Sequence, residues 1–251
     1  IHFILQKFLF KKAYKAISVS KAIQSSYKYY LQLNSSLIYN PIYDKNFILK
    51  KEFSPFRKNK INILVVGSFI NVKNHIELCQ CIKLKIKEFS EKNSLQFIFI
   101  GNGPLINKIK DYTISNNINH LVIFMGLVDK IQNYYMNADF LITTSKLEGL
   151  PTVMIESLTY DKPVISTFQL SSLEILENNI EDYDKLKKIV NKDIIKLNNG
   201  ILYKLGNISQ LAKAIKYVVR NKKLYQSNKK NREKVLKLFS IKNSNQYKEI
   251  N

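Results

Sequence analysis

Tryptophan is absent from these 251 residues, glycine is held to seven and acidic side chains to 19, while Lys and Arg together number 40. The scarcity of Gly and Trp goes with an abundance of Lys, Ile, Asn and Tyr. AT-rich coding produces that joint bias without selection for a partner. The +21 net charge therefore has two readings, drift of base composition or attraction to an anionic membrane surface. Specific nucleic-acid binding is disfavoured, because the basic residues are spread out and no binding motif accompanies them. Cysteine occurs only as Cys79 and Cys81. A C-x-C without a second ligand pair speaks against a metal site, and two thiols in a helical pattern read as buried and reduced. No apolar run reaches membrane-spanning length and no signal peptide is visible, so a cytoplasmic place is expected, with peripheral contact at the inner membrane face. The chain opens at Ile1 in an apolar stretch that reads as the interior of something, and a start further upstream is expected.

About 45% of the residues are apolar, enough for a sizeable core. From Lys60 to Tyr203, β-rich runs alternate with helical ones. Buried strands are predicted at Ile61 to Val66, Phe97 to Ile100, Leu121 to Phe124, Phe140 to Thr143, Pro163 to Ser166 and Gly200 to Tyr203. Helical spacing connects Ile76, Cys79, Ile82, Ile86 and Phe89, and then Leu105, Ile109 and Tyr112. Strands apolar on both faces and separated by helices imply a parallel sheet covered on both sides, an α/β, Rossmann-like doubly wound fold. The first 59 residues stand outside this alternation, with a strand at Ala16 to Val19, a helix at Lys21 to Leu33, a strand at Leu37 to Ile38 and a polar linker at Glu52 to Lys60. The Lys/Asp/Asn/Ile-rich stretch from Glu177 to Asn199 is expected to be a surface excursion. From Asn207 the tail reads as helical and basic, with Leu211, Ile215, Val218 and Val219 as its apolar stripe.

The segment from Ser145 to Glu156 carries the chemistry. Glu148 and Glu156 straddle a strand-to-helix turn, and Pro151 suits the first helical position. Free N–H groups at Thr152 to Met154 would favour a phosphate, and a neighbouring carboxylate can accept from sugar hydroxyls. Two solvated acids around a helix start is the plainer reading of the same residues. His75 is expected to serve structure rather than catalysis. Gly101-Asn102-Gly103 lacks the third glycine and acidic partner of a dinucleotide fingerprint, and reads as a turn bringing its loop close to the cleft.

Ser145-x-x-Glu148-Gly149, Glu156, and Asp161-Lys162-Pro163-Val164-Ile165 together resemble the E-x7-E region of family-4 glycosyltransferases, with Ser157 and Asp161 standing where that family usually has Ala and Gly. The surrounding order resembles it too: Val66-Gly67 with Lys73, Ile100-Gly101-Asn102-Gly103-Pro104, Phe124-Met125-Gly126, Ala138-Asp139, Glu174-Ile175, Asn199-Gly200, Phe239-Ser240, and, upstream, Ile17 to Ser20 and Ile38 to Ile42. The resemblance implies the two-domain GT-B fold, with residues 1–46 as the remnant of an incomplete N-terminal, acceptor-side domain. Residues 47–60 would be a linker, 61–220 the Rossmann-like donor-nucleotide domain, and 221–251 helices crossing back.

What the resemblance implies for function is transfer of a sugar, with retention of configuration, from a nucleotide-diphosphate donor to a saccharide or lipid-linked glycan, in cell-surface polysaccharide synthesis and without cofactor or metal. Glu156 would bind the ribose hydroxyls and Glu148 the transferred sugar. Gly149, Leu150 and Thr152 would lie against sugar and phosphate, and Gly67 beside the donor. Lys73 would neutralise the diphosphate. Leu127 and Val128 would hold the base through backbone. Lys73, Glu148 and Glu156 are expected to converge at the carboxyl ends of the strands. Ser68 occupies the place of the family's usual Arg, so one diphosphate cation is missing. A truncated or degenerate nucleotide-binding module without turnover, or a sugar-nucleotide epimerase of the same fold, are the alternatives.

Overall fold

Ile63 and Val65 face one side of the strand Ile61–Val66 and Leu64 faces the other, and all three are buried. A strand with no polar face has to be covered on both sides, and the rest of the architecture follows from that need. The computed structural model describes residues 9–10, 12–42, 56, 59–85, 95–177, 183–222, 225, 233 and 237–240. Ile86, Phe89 and most of the linker and of the tail beyond residue 222 lie outside them.

Two sheets are present among these residues. The smaller pairs β1 (Ile17–Ser18) with β2 (Ser36–Leu37) in parallel. The larger has seven strands: β3 (Ile61–Val66), β4 (Leu95–Ile100), β5 (Val122–Gly126), β6 (Phe140–Thr143), β7 (Val164–Thr167), β8 (Ile195–Leu197) and β9 (Gly200–Tyr203), in the order β5-β4-β3-β6-β7-β9-β8. Six strands are parallel, as their apolar runs predict, and β8 joins the edge antiparallel to β9.

One face of the sheet is covered by α2 (His75–Leu84), α3 (Ile106–Ser115) and α8 (Ile208–Arg220), which bring Leu78, Ile82, Ile109, Leu211, Ile215 and Val218 onto Ile63, Val65, Phe97 and Phe99. The opposite face receives α4 (Ile131–Asn137), α5 (Thr152–Thr159) and α6 (Leu170–Glu177) through Tyr135, Met154, Ile155, Leu158 and Leu173. Each such fully buried side chain contributes on the order of 1.5–3 kcal/mol.

Two expectations are corrected. The stretch after Glu177 is not a simple surface excursion: it contains α7 (Tyr183–Val190) and β8, and it buries Val190, Ile194 and Ile195. These few apolar residues suffice because β9 supplies the backbone partners. The helix expected to run to Leu33 is α1 (Lys21–Ser26), which widens into a π turn over Tyr27–Leu31 and stops where Gln32 turns left-handed at φ 52°. Two cations of the tail have partners in the fold: Lys222 pairs with Asp139, and Lys213 with Asp193 at 2.6 Å.

Ser20 caps α1, its hydroxyl accepting from Ile23 N at 3.1 Å. The N-terminal segment leaves Tyr14, Tyr29 and Tyr30 exposed. It meets the tail where Tyr39 packs edge-on against Phe239 at 4.9 Å and Ile42 N donates to Phe239 O at 3.0 Å.

Candidate active site

Strand order reverses between β3 and β6, so the loops leaving these neighbouring strands diverge to opposite sides and open a crevice at their carboxyl ends. The β3 loop carries Gly67 and Lys73, and the β6 loop carries Glu148, Gly149 and Leu150 before α5 begins at Thr152. Chain reversal therefore brings together residues 75 positions apart: Lys73 Nζ lies 2.5 Å from Glu148 Oε1, with side-chain exposures of 24% and 14%. This half-buried ion pair is the electrostatic centre of the crevice.

The backbone around Lys73 is held from three sides. Thr144 Oγ1, at the end of β6, donates in bifurcated fashion to Lys73 O and Asn74 O, both at 3.0 Å. Lys146 N donates to Val72 O at 2.8 Å. The β4 loop presses on the β3 loop backbone to backbone, with Phe69 N donating to Asn102 O at 2.9 Å. A Cβ at Gly101 would fall 2.1 Å from Gly67 O, and one at Gly103 would fall 2.7 Å from Phe69 N. The Gly-Asn-Gly sequence is thus explained by loop-on-loop packing. At Gly67 itself an added Cβ would meet only Lys73 and His75 side-chain carbons at 3.6–3.7 Å, so its absence leaves room beside Lys73.

His75 supports this corner from within. Its ring packs on Phe69 at 4.6 Å and Phe99 at 5.8 Å. The backbone of Gly67 and Ser68 is near, but neither ring nitrogen finds a partner in hydrogen-bonding geometry among the described residues. Burial pushes the imidazole down to about 4, so it is neutral.

The Glu148 peptide is braced from the β7 side. Glu148 N donates to Gln169 Oε1 at 2.9 Å, and Ser171 Oγ donates to Glu148 O at 2.9 Å. Gln169 Nε2 and Thr167 Oγ1 each donate to Ser145 O at 2.7 Å. Ser20 Oγ, from the N-terminal segment, donates to Gly149 O at 2.7 Å. Between α1, this loop and the β7 loop lies a cavity of about 550 Å³ whose walls include Ile23, Tyr27, Glu148, Phe168, Gln169 and Tyr183. A second cavity, of about 360 Å³, is lined by Phe69, His75, Leu105, Lys108 and their neighbours and includes none of the three charged residues expected to converge.

Glu156 occupies a different setting. It sits in α5, half-buried, with Oε2 accepting from Tyr135 OH of α4 at 2.7 Å. Burial raises its pKa, and the Tyr135 hydrogen bond works against that rise. No hydrogen bond or ion pair among the described residues links it to Lys73 or Glu148; it stands on the helix that follows the Glu148 loop. Leu127, exposed, and Val128, half-buried against the core, follow β5 on the same carboxyl edge. Thr152 is half-buried at the start of α5. The N–H groups expected to be free there are not all so: Met154 N donates to Pro151 O at 3.0 Å. Asp161 adopts φ 56°, the left-handed conformation its Gly-like position demands. Among the described residues no group of three or more His, Cys, Asp or Glu is placed to hold a metal ion.

A family profile described as "Glycosyl transferases group 1" matches residues 46–235. The chain belongs to this family. An uncharacterised glycosyltransferase of Methanocaldococcus jannaschii is 26% identical over 227 residues, which is 90% of this chain and 55% of that protein. The Escherichia coli UDP-Gal:α-D-GlcNAc-diphosphoundecaprenol α-1,3-galactosyltransferase is 24% identical over 194 residues, 77% of this chain and 45% of that enzyme. The chain thus spans about half the length of the curated relatives it matches. The crystal structure of Anabaena HepE with UDP and glucose matches with a TM-score of 0.78 at 17% identity, over 99% of this chain and 66% of that one. At such identity the likeness shows the fold, an α/β architecture with a mostly parallel sheet like that of other GT-B glycosyltransferases.

Within this group 1 chain, the sequence pointed to Lys73, Glu148 and Glu156 but not to Tyr135, Gln169, Ser171 and Thr144, which hydrogen-bond to them or their backbone. One signal was available. The β6 and β7 strands end in hydroxyl-rich runs, Thr143-Thr144-Ser145 and Ser166-Thr167, where an ordinary buried strand would continue apolar.

Proposed function

We propose that the chain forms the donor-binding part of a retaining, E-x7-E type glycosyltransferase of family 4, acting on a nucleoside-diphosphate sugar. The observation that carries this reading is the Lys73–Glu148 pair at the topological switch point, beside a helix that presents Glu156. Lys73 supplies the cation for the diphosphate as the anomeric C–O bond breaks and charge grows on the leaving group. Glu148 accepts from hydroxyls of the transferred sugar. Gly149, Leu150 and Thr152 border sugar and phosphate, and Gly67 leaves space for the donor. Glu156 keeps one carboxylate oxygen for ribose, the other being taken by Tyr135. Leu127 and Val128 border the base. No metal or cofactor takes part in this scheme.

UDP is the favoured nucleotide, because it accompanies HepE, and the acceptor is a saccharide or lipid-linked glycan, as the name of the Escherichia coli relative says of that enzyme. Peripheral attachment to an anionic inner membrane face, in cell-surface polysaccharide synthesis, suits the +21 charge. Co-sedimentation with acidic but not neutral vesicles, lost at high salt, tests that part. For the site itself, a thermal-shift panel of UDP, GDP, ADP and CMP is the direct test, since a ligand of the native state raises its melting temperature. A shift from none of them would refute donor binding.

A module that binds without turnover is the second reading, favoured by Ser68, which leaves the diphosphate one cation short. Asp161, although it stands where the family usually has Gly, does not favour it, because its left-handed backbone reproduces what a glycine there would provide.

A further inference from the structure

We propose that Glu174 is a positioning residue that clamps the N-terminal segment onto the loop carrying Glu148, so that the sugar-facing side of the site depends on it. The proposal rests on the donor-binding reading above and extends it to a residue outside the crevice.

Glu174 lies in α6 and is 2% exposed. A buried carboxylate needs donors, and among the described residues every hydrogen bond to this one comes from the N-terminal segment. Oε1 accepts from Lys21 N at 2.8 Å and from Tyr39 OH at 2.6 Å, and Oε2 accepts from Ala22 N at 3.2 Å. Lys21 and Ala22 open α1, where the helix's own carbonyls offer no partner. Carboxylate and helix start therefore satisfy each other across more than 150 residues of chain.

From this clamp the contact passes to the site in one step. Ser20, next to Lys21, donates to Gly149 O, and the Ile23 side chain fills the space above Gly149, where an added Cβ would meet its Cδ1 at 2.9 Å. Ser171, in the same helix as Glu174, donates to Glu148 O, and Gln169 accepts from Glu148 N. The Glu148–Gly149 backbone is thus fixed on one side by the start of α6 and on the other by a segment that Glu174 holds. Removing the clamp frees Ser20 and Ile23 from Gly149 and leaves Glu148 braced on one side only.

Glu174→Gln in the full chain tests this. The amide retains size but turns a donor toward donors. Hydrogen exchange is expected to quicken at residues 21–23 and also at 148–149, by roughly tenfold. Affinity for UDP-glucose should fall by about tenfold while that for UDP holds, because Glu156 and the β5 loop do not touch the clamp. Ser20→Ala, which buries no unpaired charge, should reproduce the 148–149 exchange effect if Glu174→Gln fails to fold. Faster exchange confined to 21–23 would reduce Glu174 to a local helix cap and overturn the proposal. Equal weakening of UDP and UDP-glucose would do the same. If the wild-type chain binds neither nucleotide, the donor-binding reading fails, and the exchange measurements still decide whether the clamp reaches Glu148.

Discussion

The two carboxylates of the Ser145–Glu156 segment lie close in sequence and in different physical worlds. Glu148 sits on a loop, paired with an ammonium from another strand and braced by side chains of the β7 loop and the N-terminal segment. Glu156 sits on a helix packed into the core and meets one buried phenol. The first is placed by long-range contacts, the second by the fold of α5 itself. A loop held by neighbours can respond to what binds, whereas a helical residue offers a fixed reference. On the reading proposed above, the changing part of the reaction would fall to the Glu148 end and recognition of the constant nucleoside to the Glu156 end.

The largest effect expected is at the Lys73 end. On the proposed reading, Lys73→Met should lower sugar transfer by roughly 100- to 1,000-fold, measured as turnover at saturating donor. Turnover within a few fold of wild type would show that the ion pair is only structural.

The two ends should also respond to pH with opposite sign. His75 beneath Lys73 has a folded pKa of about 4 against an ordinary 6.5. The stability this provides is present in full above 6.5 and is lost as pH falls toward 4, about 3 kcal/mol in all. Glu156 is raised by burial, so its contribution is present below 4.5 and is lost as pH rises through its folded value. Urea unfolding across this range should show the acid loss vanish in His75→Leu, while Glu156→Gln removes the opposing trend. Unchanged acid sensitivity in His75→Leu would remove the imidazole from the account.

Smaller effects separate the ends by ligand. Glu156→Gln should weaken UDP by about tenfold through loss of a charged acceptor, with a parallel loss for UDP-glucose, read by calorimetry. Tyr135→Phe should weaken UDP by only about two- to fivefold, because the carboxylate stays and only its orientation is loosened. A larger loss from Tyr135→Phe than from Glu156→Gln would make the phenol, rather than the carboxylate, the nucleoside contact.

Much of this arrangement could be read from the residues alone, for identifiable reasons. INILVV and LQFIFI are each apolar but for one buried amide, Asn62 and Gln96, and no amphipathic pattern competes with a buried parallel strand. The β8 edge escaped because three residues, Ile195-Lys196-Leu197, carry almost no periodic signal, and their conformation comes from pairing with β9. Lys73 and Glu148 were each expected in the crevice, but their direct pairing is a product of strand order, which no local pattern encodes. Gln169 and Ser171 carry no pattern of their own, because their contacts come from the turn after β7 and the start of α6 folding onto Ser145 and Glu148.

The Lys73–Glu148 contact also bears on selectivity. Without a ligand, the ammonium is already matched, so a stray phosphate that approached it would have to displace a carboxylate and would leave that carboxylate facing the newcomer's charge. A bare nucleotide meets the same obstacle. A sugar nucleotide brings both an anion for Lys73 and hydroxyls for Glu148, and so recovers on each side what it breaks. On the donor-binding reading, the pair would therefore favour molecules carrying both halves over a bare nucleotide, which would bind more weakly.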